Sequence, residues 1–246
     1  MKHGKKYKNA REGLSVKELL PADKVFQKLK DLKYVKFDES VDVDINLGID
    51  ASKGDQVVRG SIFLPHGTGK KARVIVFAKG ELAEQAKEAG ADFVGVDDLA
   101  EKITNGWLDF EYAVATPDMM GIVGKLAKIL GPRGLLPNAK LGTVTTDVKK
   151  AISDLKKGQV FFKNDKSGII HVSIGKASFS KENLEENFKT LLKAVVSSKP
   201  SSSKGKFLKK VTVSSTMGPG IPVELDESLK IWFEGKLWIV NKKKIQ

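Results

Sequence analysis

Lys36 and Phe37 place a cation next to an aromatic ring, just ahead of an alternating apolar stretch. On a surface, that pair suits RNA, because the ring stacks on a base while the ammonium sits on a phosphate. The competing reading puts Phe37 in the core. A second apolar stretch ends in Val213-Ser214-Ser215-Thr216-Met217-Gly218-Pro219-Gly220, which offers hydroxyls, a flexible thioether and a glycine that lets another backbone come near. Hydroxyls bond bases, phosphates or ribose 2′-OH groups; the plainer alternative is a Ser/Thr strand running into a Gly-Pro turn. Gly131-Pro132-Arg133-Gly134-Leu135-Leu136-Pro137 is a stiff loop in which Arg133 either binds phosphate or caps the preceding helix end, whose carbonyls favour a cation.

No enzyme site assembles from the other candidates. His66-Gly67-Thr68-Gly69-Lys70-Lys71 has the look of a phosphate loop. That motif needs an earlier glycine and a hydroxyl residue after the lysine, and here those places hold Leu64 and Lys71, so a glycine-permitted domain crossing fits better. Phe77-Ala78-Lys79-Gly80 lacks the glycine pattern of a dinucleotide turn. His3, His66 and His171 lie far apart, with no glutamate at metal-ligand spacing, and His171 reads as a surface histidine on a strand, opposite in sense to Ile170 and Val172. The chain has no cysteine, which excludes disulfides, thiolate metal sites and cysteine nucleophiles. No strained Gly-x-Ser-x-Gly turn marks a serine nucleophile. A DNA-binding repressor would need a helix-turn-helix or a basic recognition helix, and neither is evident.

Charge points to a polyanion. The net charge is +13 at pH 7, carried by the ends of the chain. Residues 159–246 hold twice as many basic as acidic side chains, residues 1–66 a modest excess, and residues 67–158 nearly equal numbers. Folding gains nothing from such an imbalance, whereas each lysine placed on a phosphate releases a condensed counterion. No apolar run approaches the roughly 18–20 residues of a membrane span, so no membrane partner is expected. Met1–Lys8 is basic without a following apolar region and is not a secretory signal. Residues 1–11 read as a flexible cationic arm.

The elements that must position these residues fall into two styles. Ser15-Val16-Lys17-Glu18 has the form of a capping box, and helical spacing follows over 22–33. Val41, Val43, Ile45 and Leu47 alternate with polar residues and predict a half-buried strand over 40–47. A second strand is expected near 57–64. In the middle, the short apolar run Val74–Ala78 predicts a strand buried on both faces. Strands at 92–95 and 112–115 alternate with helices at 81–89, at about 97–105 and after Pro117. A further helix over about 145–157 starts at Thr145 or Thr146. Alternation of this kind implies βαβ units and a parallel sheet. From 159 the first style returns: strands at 160–163 and 169–174 flank Asn164–Gly168 as a hairpin, followed by a helix at 181–197 and a strand at 207–213. The layout is an interrupted α+β domain (1–66 and 159–224) with an inserted α/β domain (67–158). The connections lie near 65–71 and 156–159.

Taken in order, Lys36–Ser40, Leu47–Asp50, Val58–Gly60, Leu64–Gly67, Gly90–Asp92, Ala115–Asp118, Gly131–Pro137, Asn164–Lys166, Gly175–Phe179 and Thr216–Pro219 closely resemble the bacterial form of the "L-one" family of large ribosomal subunit proteins. The match spans about residues 5–222. The resemblance implies a non-enzymatic, cofactor-free, cytoplasmic, ribosome-bound protein of α/β and α+β class. Its fold would be an interrupted α+β sandwich domain with an inserted Rossmann-like three-layer α/β domain. It further implies binding of large-subunit ribosomal RNA at the mobile stalk, contact with exit-site tRNA during its release, and repression of translation through the protein's own operon mRNA.

The family's RNA surface falls on Lys36, Phe37 and Ser40, and on His171, Gly175, Lys176, Ser215, Thr216, Met217 and Gly218. Many members have threonine where Ser40 stands; serine keeps the hydroxyl and loses a methyl. Typical members also end soon after the Met-Gly-Pro turn. This chain adds an extension, 225–246, with Trp232, Trp238 and Lys242-Lys243-Lys244, read either as a small hairpin packed on the protein or as an added RNA contact.

Overall fold

The structure is a computed structural model that describes residues 4–12, 14, 19–203 and 205–224. In chain order its elements are α1 (Lys5–Glu12), α2 (Ala22–Asp31), β1 (Ser40–Leu47), β2 (Arg59–Phe63), β3 (Val74–Phe77), α3 (Glu81–Glu88), β4 (Phe93–Gly95), α4 (Asp97–Thr104), β5 (Tyr112–Ala115), α5 (Met120–Lys125), α6 (Ala127–Leu130), α7 (Val148–Lys156), β6 (Gln159–Lys163), β7 (Ile169–Lys176), α8 (Lys181–Ser197), β8 (Leu208–Ser215) and β9 (Ile221–Val223). The protein is a mixed α/β structure with several sheets. Its described residues group into two units: those up to Val58 and from Lys163 onward, and those of Arg59–Phe162.

The first unit is built on an antiparallel sheet of order β7-β1-β8-β9. Strict alternation along β1 buries Val41, Val43, Ile45 and Leu47 and leaves the residues between them half-buried. Ile170, Val172 and Ile174 of β7 and Val211 and Val213 of β8 are buried with them. Helices α2 and α8 complete the core. In α8, Leu184, Phe188, Leu191, Leu192 and Val195 recur at helical spacing and are fully buried. The helix starts at Ser180, whose side chain accepts from Asn183 N–H at 3.2 Å. Phe26 of α2 meets Phe188 edge-on, with ring centroids 5.6 Å apart.

The second unit carries a parallel sheet of order β4-β3-β5. All four residues of β3 are buried, because both faces of the sheet are covered. Val74, Val76 and Val114 pack against Ala86 of α3 and Val148, Ile152 and Leu155 of α7. Ile75, Phe77, Ala113 and Ala115 pack against Leu99 and Ile103 of α4, Val123 of α5 and Leu130 of α6. Strands β2 and β6 pair as a separate two-stranded sheet in this unit.

Several expectations need correction. Within the expected cationic arm, Lys5–Glu12 is helical and has no buried residue; its lysines, alanine, arginine and glutamate are good helix formers. The hairpin across 164–168 does not form as such. β6 pairs with β2 and β7 with β1, leaving a single antiparallel bridge between Asn164 and Ile170. The buried Asn164 explains the parting, because its side-chain carbonyl accepts from Val58 N–H at 2.8 Å and draws the end of β6 toward the chain before β2. α7 is capped by Asp147, whose carboxylate accepts from Lys150 N–H at 3.2 Å. Thr145 instead accepts from Asp147 N–H at 3.1 Å in the preceding turn. Strand β9 was not anticipated. The capping box at 15–18 and the extension at 225–246 lie outside the described residues.

Candidate nucleic-acid interface

Three separate stretches of sequence converge at one end of the first sheet. The register pairs Ser40 with Lys176 and Val41 with Ser215. The start of β1 therefore lies between the ends of β7 and β8. Thr216 N–H donates to the Ser40 carbonyl at 3.1 Å, and Ser40 N–H donates to Thr216 Oγ1 at 3.0 Å. The Lys176 ammonium donates to Ser40 Oγ at 3.1 Å. Ser40, Lys176, Ser215, Thr216, Met217 and Gly218 thus form one locality, with Lys36 and Phe37 on the segment leading into it.

A buried carboxylate organises this end. Glu39 is 2 % exposed, and one of its oxygens accepts from Met217 N–H at 2.9 Å and from the Ser215 hydroxyl at 3.1 Å. The Tyr34 hydroxyl donates to the Met217 carbonyl at 2.6 Å. Asp38 accepts from Ser178 N–H at 3.1 Å and from its hydroxyl at 2.8 Å, tying the same segment to the end of β7. These bonds cross-link residues 34–40 with 176–178 and 215–217.

The side chains that face outward include apolar and cationic ones. Phe37 is 51 % and Met217 48 % exposed, among the few large apolar side chains of the described residues left in solvent. Lys36 is exposed and makes no ion pair with described residues. A flat ring, a flexible thioether and an uncompensated ammonium on one rigid frame suit stacked bases and a phosphate backbone. Phe37 is therefore not a core residue.

The remaining residues divide differently. The Ser215 hydroxyl is spent on Glu39 and Thr216 Oγ1 on Ser40, so both shape the turn. A Cβ at Gly218 would overlap Ser215 Oγ, which ties this glycine to the same buried bond. Gly175 is buried; a Cβ there would lie 2.9 Å from the Phe179 ring and 3.0 Å from Leu184, so its lack of a side chain serves internal packing. His171 stands apart. It pairs in register with Asp44, about 13 Å along β1 from Ser40 at ~3.3 Å per residue. Its Nδ1 lies 2.6 Å from Asp44 Oδ1 and its Nε2 3.8 Å from Asp165 Oδ2. Arg133 is exposed and forms no hydrogen bond or ion pair with described residues.

Glu39, Tyr34 and Asp38 escaped the sequence reading of the site. One signal for Glu39 was available: it has the same parity as Val41, Val43 and Ile45, so the buried face of β1 extends back to it. Tyr34 and Asp38 carry no comparable mark, since their partners lie in distant segments.

The turn after β6 has its own titrating group. Backbone N–H groups, that of Ile169 first and then that of Ser167, hold the Asp165 carboxyl below its ordinary value of 3.8, with His171 contributing further. A carboxyl depressed in the folded state stabilises it above the ordinary value, and the contribution is lost as pH falls through the folded value. Asp165→Asn should therefore unfold more easily than the native chain at pH 6, with the gap closing as pH drops below about 3.8. Urea unfolding at a series of pH values measures this; a gap independent of pH would remove Asp165 from the account.

Comparison with known proteins gives the family of the chain. The profile of the Ribosomal protein L1p/L10e family matches residues 29–219. A protein of Desulfotalea psychrophila named large ribosomal subunit protein uL1 is 52% identical over 223 residues, covering 91% of this chain and 95% of that protein. A protein of the same name from Thermobifida fusca is 53% identical over 224 residues, covering 91% and 95%. With the profile spanning most of the chain and half of all aligned residues identical, the chain belongs to the ribosomal protein L1p/L10e family.

Proposed function

We propose that this protein is a non-enzymatic structural constituent of the large ribosomal subunit, ribosome-bound in the cytoplasm, and that its first unit binds large-subunit ribosomal RNA at the mobile stalk. The observation that carries this reading is the exposed group Lys36, Phe37 and Met217 on the frame locked by Glu39. Lys176 adds charge beside Ser40, and Thr216 and Gly218 set the shape that selects the RNA fold. Phosphate contacts position the RNA, and contacts to bases and 2′-hydroxyls specify it. In domain terms, the first unit is the interrupted RNA-binding domain and the second a Rossmann-like insertion without a cofactor. A three-stranded parallel sheet with helices on both faces supports the latter. Contact with exit-site tRNA and repression through the operon's own mRNA belong to the same reading and rest on the family likeness. An mRNA that mimics the stalk fold would use the same surface.

Met217→Ala should weaken binding of a stalk rRNA fragment by about 1 kcal/mol or more, in the range of a single specific contact. Calorimetric titration measures it, and undiminished affinity removes Met217 from the interface. Lys36→Ala should lower the slope of log affinity against log salt by about 0.9 at most, the share of one phosphate contact. A slope that stays at the native value takes Lys36 off the phosphates. If the message competes for this surface, Met217→Ala weakens its binding by a similar factor.

A further inference from the structure

The second unit holds a polar cavity of about 360 Å³, set between the loop His66–Lys70 and the C-terminal end of α7. The loop lies directly on the helix end: a Cβ at Gly158 would come within 2.6 Å of Gly67 Cα, and Gly158 has a φ of +108° that disfavours any side chain. Lys70, Lys156 and Lys157 line the cavity and no carboxylate does. Lys156 is occupied, lying 3.6 Å from Asp92 and bonding the Gly90 carbonyl. The ammonium groups of Lys70 and Lys157 have no partner among the described residues. Thr68 Oγ1 accepts from Lys70 N–H at 3.4 Å, which leaves the Thr68 hydroxyl hydrogen for another acceptor.

The cations of α7 alone have a simpler explanation, because a helix C-terminus favours positive charge. That does not account for Lys70, which comes from a different segment, or for the missing carboxylates in a chain with 30 acidic residues. A cavity of similar size elsewhere in the same unit, about 400 Å³, shows the ordinary mixture, with Asp97 and Glu101 facing Lys125.

We infer that the cavity at His66–Lys70 and the end of α7 is an oxyanion site that takes a phosphate group of the RNA backbone. The second unit thereby gains an RNA contact of its own. The ammonium groups of Lys70 and Lys157 and the Thr68 hydroxyl supply charge and donors. The glycine-to-glycine contact brings the two segments close enough to share one phosphate. The site differs from a phosphate loop in using side chains in place of a run of backbone amides. It rests on the RNA-binding reading above for its ligand, though not for its chemistry.

The test uses the full chain in two arms. In the first, inorganic pyrophosphate is titrated while backbone amide resonances are followed by NMR. Saturable shifts confined to residues 67–70 and 157–159, abolished in Lys70→Gln/Lys157→Gln, are expected; their absence in the native chain overturns the site whatever RNA does. In the second, affinity for the stalk rRNA fragment is measured between about 50 and 200 mM salt. With one phosphate contact removed, the salt-induced fall in affinity should shrink about three- to fourfold in that double variant. Lys87→Gln/Lys102→Gln removes the same charge from exposed helix positions and should leave the fall nearly unchanged. An equal change in both pairs, or none in either, overturns an RNA phosphate as the occupant. Pyrophosphate shifts without a change of salt response would assign the cavity to free phosphate instead. A native chain that binds the stalk fragment no better than a scrambled one defeats the RNA reading, while the pyrophosphate arm still decides the cavity.

Discussion

Glu39→Ala is expected to destabilise the first unit by roughly 3 kcal/mol, because it leaves two donors without their acceptor at about 1–3 kcal/mol each, offset by water entering the space. It is also expected to cost RNA affinity, although the side chain is 2 % exposed and presents nothing to a ligand. Removing it frees Met217 N–H and the Ser215 hydroxyl together, because both donate to the same oxygen. Glu39→Gln keeps an acceptor at that place and should recover at least half of the stability. Hydrogen exchange of the β1 amides reads the opening of this unit apart from the other. Protection unchanged within about 0.5 kcal/mol, the range of an inconsequential surface change, would contradict the role given to Glu39. Binding offers a second check. The affinity losses of Glu39→Ala and Met217→Ala should be strongly non-additive, since a displaced Met217 has little left to lose by truncation.

Phe188→Ala should cost about 3–5 kcal/mol, as expected for an aromatic side chain removed from a closed core. Phe188 is fully buried on α8 and meets the Phe26 ring at an interplanar angle of 72°. That edge-to-face geometry adds a coupling of about 0.5–1.5 kcal/mol, visible in a double-mutant cycle with Phe26→Leu. Since α2 and α8 back the sheet whose strand ends adjoin Lys36, Phe37 and Met217, the same substitution should lower the temperature at which RNA binding is lost. A cost below about 1 kcal/mol would mean that α8 is not anchored as described.

How legible these features were in the sequence follows the range of the interactions behind them. The limits of β1 and α8 were readable because alternation and helical spacing are local consequences of which face is buried. The run Val74–Ala78 announced a strand covered on both sides, and the strand Val74–Phe77 is so covered. The parting of β6 from β7 was not readable, since it depends on Asn164 bonding Val58, a residue 106 positions away. The short strand β9 was hidden for a similar reason: its three residues form a strand against β8, with a parallel bridge from Val223 to Leu20. At the candidate interface, residue type pointed to Lys36, Phe37 and Met217, and the structure leaves all three in solvent. The hydroxyls of Ser215 and Thr216 look available in a string of letters, and in the fold they bond Glu39 and Ser40. Gly175 and Gly218 carry the same lesson, because the close neighbour that excludes a Cβ at each is part of this chain.

The position of β1 bears on how the polypeptide matures. Both strands flanking it, β7 and β8, lie after Lys163 in the sequence, whereas Arg59–Phe162 form a contiguous stretch. During synthesis β1 leaves the exit tunnel with both edges unpaired and must wait for more than a hundred further residues. The intervening stretch meanwhile has every partner it needs to fold. An unpaired strand edge invites association with other chains. Nascent-chain chaperones should accordingly engage the amino-terminal segment until the last third of the message has been translated.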